Sequence, residues 1–89
     1  MDITFDPNKN DRNIEERGIS FECVADFDFE SALLSVDDRK DYGEERLRAL
    51  GYISGRLHAL VFTETATGIR VISLRKANKR EEKRYEQET

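Results

Sequence analysis

The period of apolar and polar positions changes several times along the 89 residues, and each change marks a predicted element. Ile3 and Phe5 alternate with polar neighbours, so Asp2–Phe5 reads as a short strand. Asp6-Pro7 then reads as a helix start. Asp6 can accept bonds from the first free N–H groups, and Pro7 suits the first helical position. This helix extends to about Arg17, where Gly18 is a natural stop. It is mostly polar, so Ile14 and the stems of its long side chains are its expected inward contacts. Ser20 looks like the cap of a second helix, with Glu22 in the favourable first turn. Phe21, Val24 and Ala25 follow helical spacing, and Phe27 and Phe29 continue the apolar content.

Ala32–Val36 is the next strand candidate, and Asp37–Gly43 reads as a charged turn. Three strands follow closely, at Glu45–Ile53, Arg56–Thr63 and Ile69–Arg75. The separators Ser54-Gly55 and Thr65-Ala66-Thr67-Gly68 are hairpin material. Strict alternation in the first places Leu47, Ala49 and Gly51 opposite Arg46, Arg48, Leu50 and Tyr52. In the third it places Ile69, Val71, Ser73 and Arg75 opposite Arg70, Ile72, Leu74 and Lys76. Apolar residues occupy the middle of both faces, so both faces are expected to be partly covered. Ala77–Glu88 contains strong helix formers and no breaker, with only Ala77 and Tyr85 to bury. The predicted order is β-α-α-β-β-β-β-α. It describes a single α+β domain over residues 1–89, built on an antiparallel meander.

Composition narrows the functional classes. One cysteine, Cys23, cannot form an internal disulfide or a cysteine-cluster zinc site, and its apolar-spaced run reads as small-residue packing. The start lacks the basic and apolar regions of a signal peptide, and no apolar run approaches the ~20 residues that span a bilayer. A cytoplasmic protein with no membrane contact is expected. Charged residues make up 38% of the chain, but the patterned apolar runs argue against disorder. The formal charge is −4, which argues against coating nucleic acid over the whole surface.

The charge is unevenly placed. Arg70 to Arg84 holds seven bases and two acids, a net +5, while the remainder carries eight bases and seventeen acids. The bland reading is a solvated helix laced by i,i+4 pairs. A basic site for an acidic partner protein or for a phosphate is the alternative. His58 sits among apolar strand residues and reads as a buried, satisfied histidine before a catalytic base. The spacing of the carboxylates at residues 37–45 does not match a calcium loop, and no phosphate loop, nucleophile elbow or HExxH occurs. No metal or cofactor is implied.

The remaining residue types suffice for one reaction. RNA carries its own nucleophile, the 2′-OH, so an enzyme need only orient it, move its proton and stabilise the phosphate oxygens. Arginine forks suit those oxygens, and a tyrosine or lysine among arginines exchanges protons nearer neutrality. Arg75, Lys76, Arg80, Arg84 and Tyr85 fit, as does Arg46 if its strand pairs with the last one.

Three stretches carry a more specific resemblance: ITFDPNKNDRNIEERGISFECVADFDF, GEERLRALG and GIRVISLRKANKREEKRY. The residues are Phe5-Asp6-Pro7 with Lys9 and Asn13, Gly18 to Glu22, Glu45-Arg46 with Gly51, Arg70 to Ala77, and Glu81 with Tyr85. Together they resemble the BrnT toxins of BrnT–BrnA type II toxin–antitoxin systems, in register over nearly the whole chain. The resemblance implies a RelE-like fold, with two N-terminal helices, an antiparallel four- to five-stranded sheet and a C-terminal helix. It implies a metal-independent ribonuclease that arrests translation and growth. It also implies a BrnA-type ribbon-helix-helix antitoxin, a hetero-oligomer with that antitoxin dimer, and DNA contact only through the autorepressing complex.

On this reading Arg46, Arg75 and Arg80 hold the phosphate. Lys76 and Tyr85 are candidates for proton transfer, and Glu45 or Glu81 acts as base or orients an arginine. Arg17, Arg70, Lys79, Lys83 and Arg84 are the RNA-binding candidates. One departure stands out: Glu16-Arg17-Gly18 occupies the place of the family's frequent Lys-His-Gly, and arginine is a poor proton exchanger. A non-catalytic module that only docks an antitoxin is therefore the rival expectation.

Overall fold

The structure is a computed structural model that describes residues 1–89 except Lys40 and Tyr42. The charged turn expected at residues 37–43 lies partly outside the described residues. Strand β1 (Asp2–Phe5) leads into helix α1 (Pro7–Arg17), a 3-10 segment (Phe21–Asp26), strands β2 (Leu33–Asp37), β3 (Arg46–Ile53), β4 (Arg56–Glu64) and β5 (Gly68–Lys76), and helix α2 (Lys79–Glu88). The strands form one sheet in the order β1-β5-β4-β3-β2. β2 to β5 are an antiparallel meander. β1 is parallel to β5, so the sheet is mixed rather than wholly antiparallel. No helix is long and apolar enough to cross a membrane among the described residues.

Local chemistry explains the element ends. The Asn8 backbone N–H donates to the Asp6 carboxylate, and Gly18 closes α1 in the left-handed region at φ 70°. Ser20 accepts from the Glu22 N–H but starts a 3-10 segment, not the α-helix expected there. Phe21 and Val24, three apart, are almost completely buried, while Ala25 is exposed. A three-residue repeat matches the buried pair and leaves Ala25 outward. Ser54 and Gly55 both have positive φ, 49° and 79°, the twist-matched turn that a two-residue hairpin needs.

The sheet is covered on both faces. On one, Phe21, Val24 and Phe27 pack on Ala49, Leu60, Phe62, Ile69, Val71 and Leu74. Cys23 is a partly buried member of this layer, and His58 is buried with Nδ1 2.8 Å from the Arg56 carbonyl. On the other, Ala77 and Tyr85 pack on Leu50, Leu57 and Ala59.

α1 is attached by polar groups rather than by Ile14, which is 44% exposed. Asn10 Oδ1 accepts from the Phe21 N–H at 2.7 Å. Asn13 Nδ2 donates to the carbonyls of Ile19 and Leu74, both at 2.9 Å. These asparagines, three apart on one helix face, satisfy backbone groups of the 3-10 region and of β5.

The alternation expected along β5 is broken by a bulge. Val61 pairs with Ser73, but the next residue, Phe62, pairs with Val71. Ile72 is therefore the extra residue, and the side-chain alternation shifts by one beyond it. Leu74 joins Ile69 and Val71 in the first core layer. Arg75, expected on that side, lies instead across from Ala59, on the face that α2 partly covers.

Candidate active site

The face shared with α2 is apolar at one end and polar at the other. Cross-strand register places Leu33, Leu50, Ala59 and Arg75 in one row and Ser35, Arg48, Val61 and Ser73 in the next. Beyond these lie the pairs Asp37–Arg46 and Thr63–Arg70. α2 covers the first row through Tyr85 and leaves the second to arginine.

A capping box fixes the start of α2. Asn78 accepts from the Glu81 N–H at 2.8 Å, and Glu81 accepts from the Asn78 N–H at 3.0 Å. The same Glu81 carboxylate accepts both prongs of Arg75, at 2.7 and 2.9 Å. Arg48 Nη2 lies 3.8 Å from it on another side. One carboxylate thus caps the helix, ties it to β5 and faces β3. The Arg75 fork, the Asn78 N–H and the nearby Arg48 charge hold its pKa below the usual carboxylate value, against burial. Glu81 in turn raises the pKa of Arg75, which stays charged.

Arg48, Arg75, Asn78, Arg80, Glu81 and Arg84 line an open cleft. It adjoins a smaller one that adds Leu33, Ser35, Leu50 and Ala59. Among the described residues, four guanidinium groups and one carboxylate give the lining a net charge of +3. Arg84 is paired to Glu88 at 2.8 Å. Arg80 has no ion-pair partner among the described residues. The arrangement offers forked donors from two directions to an anion, with the Glu81 carboxylate holding one of them in place.

The expected residues divide into several groups. Arg75, Arg80, Glu81 and Arg84 come together. Arg48 joins them although sequence reasoning chose Arg46. β4 separates β3 from β5, so the strand pairing on which Arg46 was chosen does not occur. Arg46 and Arg70 both approach Glu44 instead, at 3.8 and 2.7 Å. Arg46 and Arg48 share one strand face in the sequence pattern, and only the register of β3 with its neighbours places Arg48 beside Ser35 and Val61 at the cleft.

Lys76 pairs in register with His58 and alternates away from Arg75, outside the cleft. Tyr85 is buried, and its hydroxyl donates to the Ser31 carbonyl at 2.8 Å. Its ring meets Tyr52 edge-on at 5.4 Å. Lys79 and Lys83 are exposed on α2 and do not line the cleft, and Glu45 is exposed just ahead of β3. Arg17 lies on α1 and donates to Asn13 Oδ1 at 3.3 Å, in a separate hollow with Lys9, Arg12 and Glu16. Among the described residues, no three His, Cys, Asp or Glu side chains group closely enough to hold a metal ion.

Residues 5–81 match the model of a family described as the ribonuclease toxin, BrnT, of type II toxin–antitoxin systems. No curated protein matches the chain.

Proposed function

The chain belongs to that BrnT family of ribonuclease toxins, and from this premise we propose that the arginine cleft is where RNA is cut. The observation that carries the proposal is the set Arg48, Arg75, Arg80 and Arg84 converging beside the start of α2. Arg80 and Arg48 take the scissile phosphate. Arg75 adds the donors that Glu81 leaves unused. The substrate's 2′-oxygen bonds to phosphorus as the bond to the 5′-oxygen breaks. The 2′-OH proton goes to water or to Glu81, and the departing 5′-oxygen takes a proton from solvent. The products carry a 2′,3′-cyclic phosphate and a 5′-hydroxyl. Forked cations act where charge grows on the phosphate oxygens, so the reaction needs no metal.

Tyr85 serves as the anchor of α2 in this reading, since its hydroxyl is committed to Ser31. The fold is read as RelE-like, and the site of action as the cytoplasm. The partner is a BrnA-type ribbon-helix-helix antitoxin, and the pair represses its own operon. DNA is reached only through that complex.

Purified protein and RNA in EDTA test the reaction. Cleavage persists in the wild type and falls about 100-fold or more in Arg80→Ala, the scale for losing one oxyanion donor. The new 5′ ends accept phosphate from a polynucleotide kinase without prior phosphatase treatment. Cleavage abolished by EDTA, or unchanged in Arg80→Ala, would sink this mechanism.

A second reading is favoured by one feature: Glu81, its pKa lowered, is the one carboxylate lining the cleft among the described residues. A weak base there suits a protein that holds an anionic partner without cutting. Induced expression in a host without antitoxin separates the two. Normal growth with soluble, folded protein supports the binding module.

A further inference from the structure

β2 is the last strand on its side of the sheet, and among the described residues no strand lies beyond it. Its sequence, Leu33-Leu34-Ser35-Val36-Asp37, has no lysine or proline of the kind that guards a free edge. Leu34 and Val36, on the face opposite the cleft, are each 54% exposed. On the cleft face the same strand presents Leu33 and Ser35, which line the hollow shared by Arg48, Glu81 and Arg84. Ser35 stands directly across from Arg48, and its short side chain does not wall that arginine off from the edge.

We propose that this edge receives an extended segment of the antitoxin, alternating apolar with acidic residues. The inference rests on the toxin reading. It adds where the partner docks and how docking silences the cleft. A strand added beside β2 lies one strand spacing outward, ~4.8 Å. Its backbone takes up the outward-facing groups of the edge, and its side chains alternate between the two faces. Apolar ones cover Leu34 and Val36. Acidic ones reach over Ser35 to Arg48 and Arg84, where they occupy the donors that a phosphate would use.

Charge selects this occupant over a second copy of the chain. A copy's β2 would bring only Asp37 to that face, and Asp37 is already held in the fork of Arg39 at 2.7 and 2.8 Å. RNA is excluded because it neither completes a sheet edge nor covers an apolar pair.

The test uses the toxin and the antitoxin encoded with it, each purified, and the double variant Leu34→Lys/Val36→Lys. Both side chains are half exposed, so the fold is kept, and RNA cleavage by the free variant stays at the wild-type level. Antitoxin affinity falls about 100-fold, as expected for losing the anchors of an interface. Independently, hydrogen exchange of the wild-type complex slows at the amides of residues 33–37. Unchanged affinity of the double variant, or equal exchange rates in free and bound toxin, overturns the proposal. So does a free toxin dimer that the two substitutions split, because the edge would then belong to the second copy. If wild-type toxin cuts no RNA while affinity and exchange behave as stated, the ribonuclease reading fails and the docking edge stands.

Discussion

Glu81 accepts the Arg75 fork and the N–H of Asn78, the residue that caps its own helix, and that ties stability to pH. Its folded pKa lies below the ordinary value of 4.5. The stabilisation is therefore fully present above about pH 4.5 and is lost as pH falls through the lower folded value. Glu81→Gln flattens that acid limb in thermal melts taken from pH 6 to pH 3. A limb as steep as the wild type's would show that other carboxylates govern it. Arg75→Lys keeps the charge but not the two parallel bonds, so it also loosens the start of α2. Tyr85→Phe separates anchor from catalyst at the same scale. Losing the bond to Ser31 lowers stability by about 1 kcal/mol while cleavage at saturating RNA is unchanged. A 100-fold loss of cleavage in a variant of normal stability would return Tyr85 to proton transfer.

Among the elements, α1 makes the clearest prediction. Asn13 bridges the 3-10 region and β5, so Asn13→Ala takes the donor from the buried Leu74 carbonyl and from the part-buried Ile19 carbonyl. The expected cost is about 2 kcal/mol, or ~10 °C of Tm for a chain this size. Ile14→Ala, on the exposed side, moves Tm by only a degree or two. These elements also show what could be read from the chain. The Asp6-Pro7 start, the Gly18 stop and the Ser54-Gly55 turn rest on neighbouring residues, so their positions were legible.

The attachment of α1 was not, because Asn10 and Asn13 bond to distant backbone, and composition assigns asparagines to the surface. β1 pairing parallel to β5 was equally hidden, since it joins the two ends of the sequence. The site was half legible. Arg75, Arg80, Glu81 and Arg84 come from one continuous segment, whereas Arg48 enters only through register with β2 and β4.

Over the whole molecule, an acidic chain gathers a +3 cleft on one face. If RNA is cut at that cleft as proposed, it is attracted there and repelled across much of the remaining surface, so its binding depends on few contacts. Three or four phosphate contacts give a log–log salt slope of about −2 to −3 for single-stranded RNA. Arg80→Ala makes that slope shallower by about 0.7, one contact's worth. A slope far steeper than −3 would mean that RNA wraps onto the basic hollow beside α1 as well.

The bulge at Ile72 can be restated as a matter of parity. Along a strand, odd and even positions are two different addresses, and one unpaired residue exchanges them. Everything after Ile72 is delivered to the opposite address from the one that counting assigns. Arg75 reaches the cleft and Lys76 does not only because the count is off by one. Were Ile72 instead to take a regular place opposite Val61, Ser73 would fall opposite Leu60 and Leu74 opposite Ala59, so Leu74 would be turned out of the core and Lys76, not Arg75, would share the cleft face. Deleting Ile72 outright would leave Val71 and Ser73 to alternate directly and keep Arg75 where it is. The same cations would then present different chemistry according to how one residue is paired, though that residue does not touch Glu81.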